Sequence, residues 1–196
     1  MSLRHHEIPG VRYRDAEEAK RHFENGAWVA STVGDALRAT ARRFPDRDAL
    51  ITDEVRLTFA ELDDKTERLA AALLQLGLRR DDRAIFQMGT EVETAVVLLA
   101  CYKAGIVPVC SLPQFREVEI TQLASMSRAR GYFVQADFSA FDLVGFARQM
   151  VQRLPDLQHL VVSRSSEDAL ESGHDLKGLI DGMSYGRARE ILGAAD

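Results

Sequence analysis

The residues of this 196-residue chain best placed to do chemistry lie in loops that each follow a short apolar run. Gln87-Met88-Gly89-Thr90 comes after Ala84-Ile85-Phe86, Ser111-Leu112-Pro113-Gln114-Phe115-Arg116 after Ile106-Val107-Pro108-Val109, and Asp137-Phe138-Ser139 after Tyr132-Phe133-Val134. Arg116 offers a planar fork of N–H donors able to grip a carboxylate or phosphate. An ion pair with Glu117 or Glu119, or plain exposure, is the competing reading. The first loop holds a single glycine and matches neither a dinucleotide fingerprint nor a phosphate-cradling loop. Thr90 and Asp142 read as helix caps rather than catalytic groups. No Gly-x-Ser-x-Gly elbow, Cys–His pairing or paired carboxylates emerge, so no residue is assigned a catalytic role. Cys101 and Cys110 both read as buried reduced thiols in apolar surroundings, and the histidines lack metal-ligand spacing.

The elements that must position these loops follow from periodicity and punctuation. A short helix is expected over 15–25, capped by Asp15 and stopped by Gly26. A second begins at Ser31 or Thr32, with Val33, Leu37, Thr40, Ala41 and Phe44 on one face before Pro45 ends it. Residues 49–51 and 55–59 suggest a hairpin turning at Asp53-Glu54, without the usual glycine. Thr58 and Glu61 have capping-box spacing, and Leu62, Thr66, Leu69, Ala70, Leu73 and Leu76 then mark a long helix closed by Gly77. Beyond it, strands starting near Arg83, Val107, Gly131 and Gln158 recur every 24 to 27 residues, the length of a parallel-strand crossover. Thr90 and Glu93 suggest a second capping box; further crossover helices are expected over 118–127 and 142–153. Residues 163–175 read as a surface loop, and Leu176, Leu179, Ile180, Tyr185, Ala188, Ile191 and Leu192 as loosely attached short helices. The fold class is α/β, a doubly wound parallel sheet with right-handed crossovers, a helical lead-in and a hairpin. Its divisions are a lead-in over 1–30, an α/β subdomain over 31–163, and a loop with short helices over 164–196.

Composition narrows the function classes. With 46% hydrophobic residues the chain has enough apolar material for one core. A net charge of -5 argues against a nucleic-acid partner. The most apolar stretch, 95–113, carries Lys103 in its middle, which costs about 3 kcal/mol at mid-bilayer, and Gly105 and Pro108 break it. No membrane span is expected, and residues 1–10 lack the apolar core of a signal peptide, which points to the cytoplasm.

The order of segments resembles the beginning of the adenylate-forming superfamily of acyl-CoA synthetases, aryl-AMP ligases and peptide-synthetase adenylation domains. Leu57-Thr58-Phe59-Ala60-Glu61-Leu62 looks like its first core motif, and residues 101–109, Cys-Tyr-Lys-Ala-Gly-Ile-Val-Pro-Val, like its second. Trp28, Gln87, Leu112-Pro113-Gln114-Phe115-Arg116 and Phe138-Ser139-Ala140-Phe141-Asp142 are similar to the branch containing dihydroxybenzoate-AMP ligases. Gly89-Thr90 departs from the Pro-Asn usual there. The resemblance implies an enzyme in which a small carboxylate attacks ATP, with Mg2+, to give an acyl adenylate and pyrophosphate, after which the thiol of CoA or a carrier protein takes the acyl group. It makes Gln87 and Arg116 the candidate substrate or inter-subdomain residues. The chain ends where the family would next supply its phosphate loop. The expectation is thus an N-terminal fragment, inactive alone, binding no cofactor itself, with the remainder of the ligase as partner and self-association through exposed apolar surface. The alternative is a non-catalytic binding or assembly module of the same fold.

Overall fold

The computed structural model describes residues 12–165 and 173–195. The chain divides into two compact units, Met1–Thr32 and Val33–Asp196. In the first, α1 (Ala16–Glu24) starts where the Asp15 carboxylate accepts from the Glu17 and Glu18 N–H groups at 3.0 and 3.3 Å. It buries no residue. Trp28 stacks on His22 at a centroid distance of 4.8 Å and meets the Phe23 ring edge-on.

The second unit opens with α2 (Val33–Arg43), which buries Gly34, Leu37 and Ala41. Val33 was expected on that face but projects from the first turn and is 51% exposed. The hairpin of β1 (Asp48–Ile51) and β2 (Arg56–Thr58) turns at Asp53-Glu54 as expected. Thr52 explains the missing glycine: its hydroxyl accepts from the Glu54 and Val55 N–H groups, and its own N–H donates to Val55 O at 2.9 Å. A side chain thus closes the turn without a left-handed residue. The capping box forms at α3 (Phe59–Leu76), with Glu61 accepting from the Thr58 N–H at 2.8 Å. Gly77 ends the helix at φ 113°, a conformation that suits only glycine.

Four crossover strands then build a sheet: β3 (Arg83–Gln87), β4 (Val107–Cys110), β5 (Gly131–Gln135) and β6 (His159–Ser163). Three of the four starts fall where the periodicity places them. Between them run α4 (Val92–Ala104), α5 (Glu117–Ser127) and α6 (Leu143–Arg153). A fifth strand, β7 (His174–Asp175), pairs in parallel with β6 inside what was expected to be a loop; two residues are too few to leave a periodic signal. The rest of that loop, 166–172, lies outside the described residues. The sheet order is β4-β3-β5-β6-β7, all parallel. Alternation along the strands sends Ala84, Phe86, Phe133 and Val161 into a core with α3 and α4. Ile85, Tyr132, Val134, Leu160 and Val162 face a second core with α5 and α6.

Three local expectations are corrected. Thr90 does not cap α4, whose N-cap is Glu91 without a side-chain hydrogen bond; Thr94 instead donates to Gly89 O at 2.6 Å. Cys110 is exposed, because β4 is the sheet edge, whereas Cys101 is buried and burial pushes its thiol upward, keeping it protonated. The C-terminal helices α7 (Leu176–Asp181) and α8 (Tyr185–Ala195) are not loose: Leu176, Ile180, Met183, Ala188 and Leu192 join the core with α3. Arg68 reinforces that attachment, donating to the carbonyls of Ile180 and Met183 at 3.0 and 2.6 Å.

A buried ionic cluster joins α2, α3, α4 and α8. Glu67, with its side chain fully buried, accepts from Lys103 at 2.7 Å, Arg189 at 2.7 Å and Arg38 at 3.2 Å. Lys103, equally buried, also meets Asp63 at 2.6 Å. Burial pushes the Glu67 carboxyl up, but its hydrogen bonds from Lys103, Arg189 and Arg38 outweigh that and hold it below the ordinary carboxylate range.

The open edge of β4 is also chemically defined. The Val107 and Ser111 N–H groups point inward to Asp82 O and Phe86 O, so positions 108 and 110 face outward. Pro108 has no N–H, which leaves Cys110 as the one outward donor and makes the edge a poor template for strand addition.

Two outcomes follow. Glu67→Ala strands Lys103 in the core and should cost about 3–5 kcal/mol in urea unfolding. Pro108→Val restores an outward donor and should increase self-association in sedimentation velocity while leaving the fold intact by circular dichroism.

Candidate functional site at the sheet switch point

Doubly wound sheets bind ligands at the carboxyl ends of strands where the strand order reverses. Here the chain leaves β3 toward β4 through α4 on one face, and leaves β5 toward β6 through α6 on the other. The crevice therefore opens between the ends of β3 and β5, beside Gln87 and Gln135.

Gln87 and Arg116 come together there. Gln87 is fully buried; its Nε2 donates to Phe115 O at 2.7 Å and to Pro113 O at 3.2 Å. Its Oε1 accepts from the Tyr132 hydroxyl. Burial pushes the Tyr132 hydroxyl up, which keeps it a neutral donor. Arg116 Nη1 donates to the same two carbonyls, at 2.9 Å for Pro113 and 2.7 Å for Phe115, and its guanidinium lies 3.8 Å over the centre of the Phe141 ring. The guanidinium thus bonds backbone carbonyls rather than Glu117 or Glu119; Glu119 caps α5 through the Arg116 backbone N–H at 3.0 Å and is thereby held below its ordinary pKa. A strand-end side chain and a loop side chain thus fix the 113–115 turn through the same two carbonyls.

The adjacent wall is built on Gln135, nearly buried at the end of β5. Its Oε1 accepts from the Gly89 N–H at 2.9 Å and its Nε2 donates to Asp137 at 2.8 Å. A Cβ at position 89 would sit 3.0 Å from Gln135 Oε1 and 3.0 Å from the Phe138 ring. The departure noted at Gly89 therefore has a local logic: a proline there would lack the N–H that Gln135 requires. Arg164, after β6, closes the rim. It reaches Glu91 and Glu93 at 3.1 Å and Asp137 at 3.5 Å, from a left-handed backbone with φ 55°. Gln135 and Arg164 carried no sequence signal, since each matters only through partners distant in the chain.

The residues in this crevice do not fit a nucleotide's phosphates or a divalent metal. The Gly89 N–H is committed to Gln135, and the three rim carboxylates are committed to Arg164. Among the described residues no group of three His, Cys, Asp or Glu side chains is arranged to hold a metal ion, and no helix is long and apolar enough to cross a membrane.

With this architecture established, comparison with known proteins is decisive. Residues 37–180 match the AMP-binding enzyme family. The chain belongs to that family. It is 34% identical over 154 residues to the 2,3-dihydroxybenzoate-AMP ligase of Bacillus subtilis, covering 79% of this chain and 29% of that protein. It is 37% identical over 152 residues to the salicyl-AMP ligase / salicyl-S-ArCP synthetase of Mycobacterium tuberculosis, covering 75% of this chain and 27% of that one. Among solved structures, apo MbtA of Mycobacterium smegmatis superposes with a TM-score of 0.74 at 33% identity, over 95% of this chain and 32% of its own. This member of the AMP-binding family thus spans about 30% of the length of its relatives. The switch-point crevice lies within the matched segment.

Gln87→Leu leaves the Tyr132 hydroxyl and the 113–115 carbonyls without their buried partner. It should cost about 3 kcal/mol in chemical denaturation, against about 1 kcal/mol for Tyr132→Phe.

Proposed function

We propose that this chain is the N-terminal part of an ATP-dependent ligase that adenylates a small carboxylic acid, aromatic or cyclic rather than long-chain, and passes the acyl group to CoA or a carrier-protein thiol. The observation that carries this reading is the match to the AMP-binding family over 37–180 together with identities above 30% to two aryl-acid ligases. In this reading the chain is inactive alone: the crevice supplies a rigid wall, and the phosphates and Mg2+ are held by residues of the remaining polypeptide. Gln87 and Arg116 fix the 113–115 turn as part of that wall and place it against substrate or a neighbouring subdomain. Leu112, Val118 and Met126, exposed by 57, 77 and 78%, support a further packing partner for the segment that follows β4.

The test is a chimera in which this chain replaces the matched 154-residue segment of the Bacillus subtilis ligase. ATP–pyrophosphate exchange with 2,3-dihydroxybenzoate should persist in the chimera and be absent from the 196-residue chain alone. Exchange by the chain alone would overturn its incompleteness. A folded chimera without exchange would favour the non-catalytic assembly module.

A further inference from the structure

On the α2 and α8 side of the molecule, away from the crevice, a recess of about 240 Å³ is lined by Asp35, Arg38, Arg42, Arg189, Leu192 and Gly193. We propose that it binds a compact oxyanion of the phosphate class. The proposal stands on geometry and charge within this unit, independently of the ligase reading.

Asp35, Arg38 and Arg42 share one face of α2 by their spacing, and Arg189 meets them from α8. Arg38 is anchored from below: its Nε donates to both Glu67 oxygens at 3.2 Å and its Nη1 to Asp35 at 3.2 Å. Arg189 is anchored through a single nitrogen, Nη1, to Glu67 at 2.7 Å. Each guanidinium carries five N–H donors, so Arg38 and Arg189 keep donors to spare after these bonds. Arg42 is exposed at the mouth and forms no ion pair with a described residue.

Among the described residues of this cluster the charges do not cancel: Arg38, Arg42, Lys103 and Arg189 are four cations, and Asp35, Asp63 and Glu67 are three carboxylates. Tyr185, which also faces Asp63, has its hydroxyl pushed up by burial and adds no negative charge. A single buried carboxylate, Glu67, has drawn three cations, and the surplus positive charge falls at the recess rather than in the core. Planar N–H forks around a concave site match the paired oxygens of a tetrahedral oxyanion. The size selects for compactness, since pockets that enclose a whole small molecule run from about 300 to 1,000 Å³. The lining has one large apolar side chain, Leu192, and so favours an anion over an apolar body.

Isothermal titration at constant ionic strength, with phosphate, pyrophosphate and AMP as separate ligands, tests this on the purified chain. Phosphate or pyrophosphate should bind, and Arg42→Gln should weaken that binding at least tenfold while leaving the anion-free melting temperature unchanged. AMP binding as well as inorganic phosphate would identify a terminal phosphoryl group as the recognised feature; binding of the inorganic anions alone would identify the free ion. Absence of binding by all three, or an Arg42→Gln variant with wild-type affinity, would overturn the proposal.

Discussion

A buried carboxylate organises one half of this molecule. Glu67 sits in the middle of α3, and removing such a charge from water costs several kcal/mol unless partners are in place. Lys103 on α4, Arg38 on α2 and Arg189 on α8 supply those partners, so the carboxylate is tolerated only when four helices have assembled around it. Apolar packing of Leu69, Leu73, Val97 and Leu192 brings the same helices together without much preference for register. The ionic cluster supplies the preference, since a slip by one turn would leave Lys103 or Glu67 unpaired in the core.

That fixed helical layer lies on one face of the sheet, and the sheet transmits its position to the crevice. β3 is paired on both sides, to β4 and β5, so its carboxyl end is set by two ladders. Gln87 then converts strand position into loop position: one amide, buried at the strand end, reads the carbonyls of the 113–115 turn and the hydroxyl of Tyr132. Arg116 donates to the same Pro113 and Phe115 carbonyls. Polar groups this deep are held tightly because leaving any of them unpaired is costly. The crevice therefore behaves as a preformed wall rather than an adaptable surface.

Much of this was legible in the sequence where the signal is local. The capping box at Thr58 and Glu61, the stop at Gly77 and the strand starts at Arg83, Val107 and Gly131 each depend on residues within a few positions of one another. The resemblance to the adenylate-forming ligases was legible from motifs of the same local kind. What failed depended on distance. Thr90 and Glu93 had the right spacing for a cap, but Arg164, 71 residues beyond Glu93, takes its carboxylate instead. Arg189 finds Glu67 across a separation of 122 residues, and Arg68 finds Met183 across 115, which is why the C-terminal helices looked loose on their own. Gln87 and Arg116 were singled out separately, yet nothing in their spacing showed that they share two carbonyl acceptors.

The crevice and the surface beside the turn differ in what they leave available. At the switch point the Gly89 N–H and the carboxylates of Glu91, Glu93 and Asp137 are all engaged with protein partners. Meanwhile Leu112 and Val118, close in sequence to the 113–115 turn, remain exposed, and Pro108 closes the β4 edge to backbone pairing. A surface that is apolar in its side chains and blunted in its backbone favours packing over sheet extension. The turn fixed by Gln87 and Arg116 is thus a rigid boundary of the crevice, and the exposed Leu112 and Val118 beside it in sequence are suited to side-chain packing rather than to strand pairing.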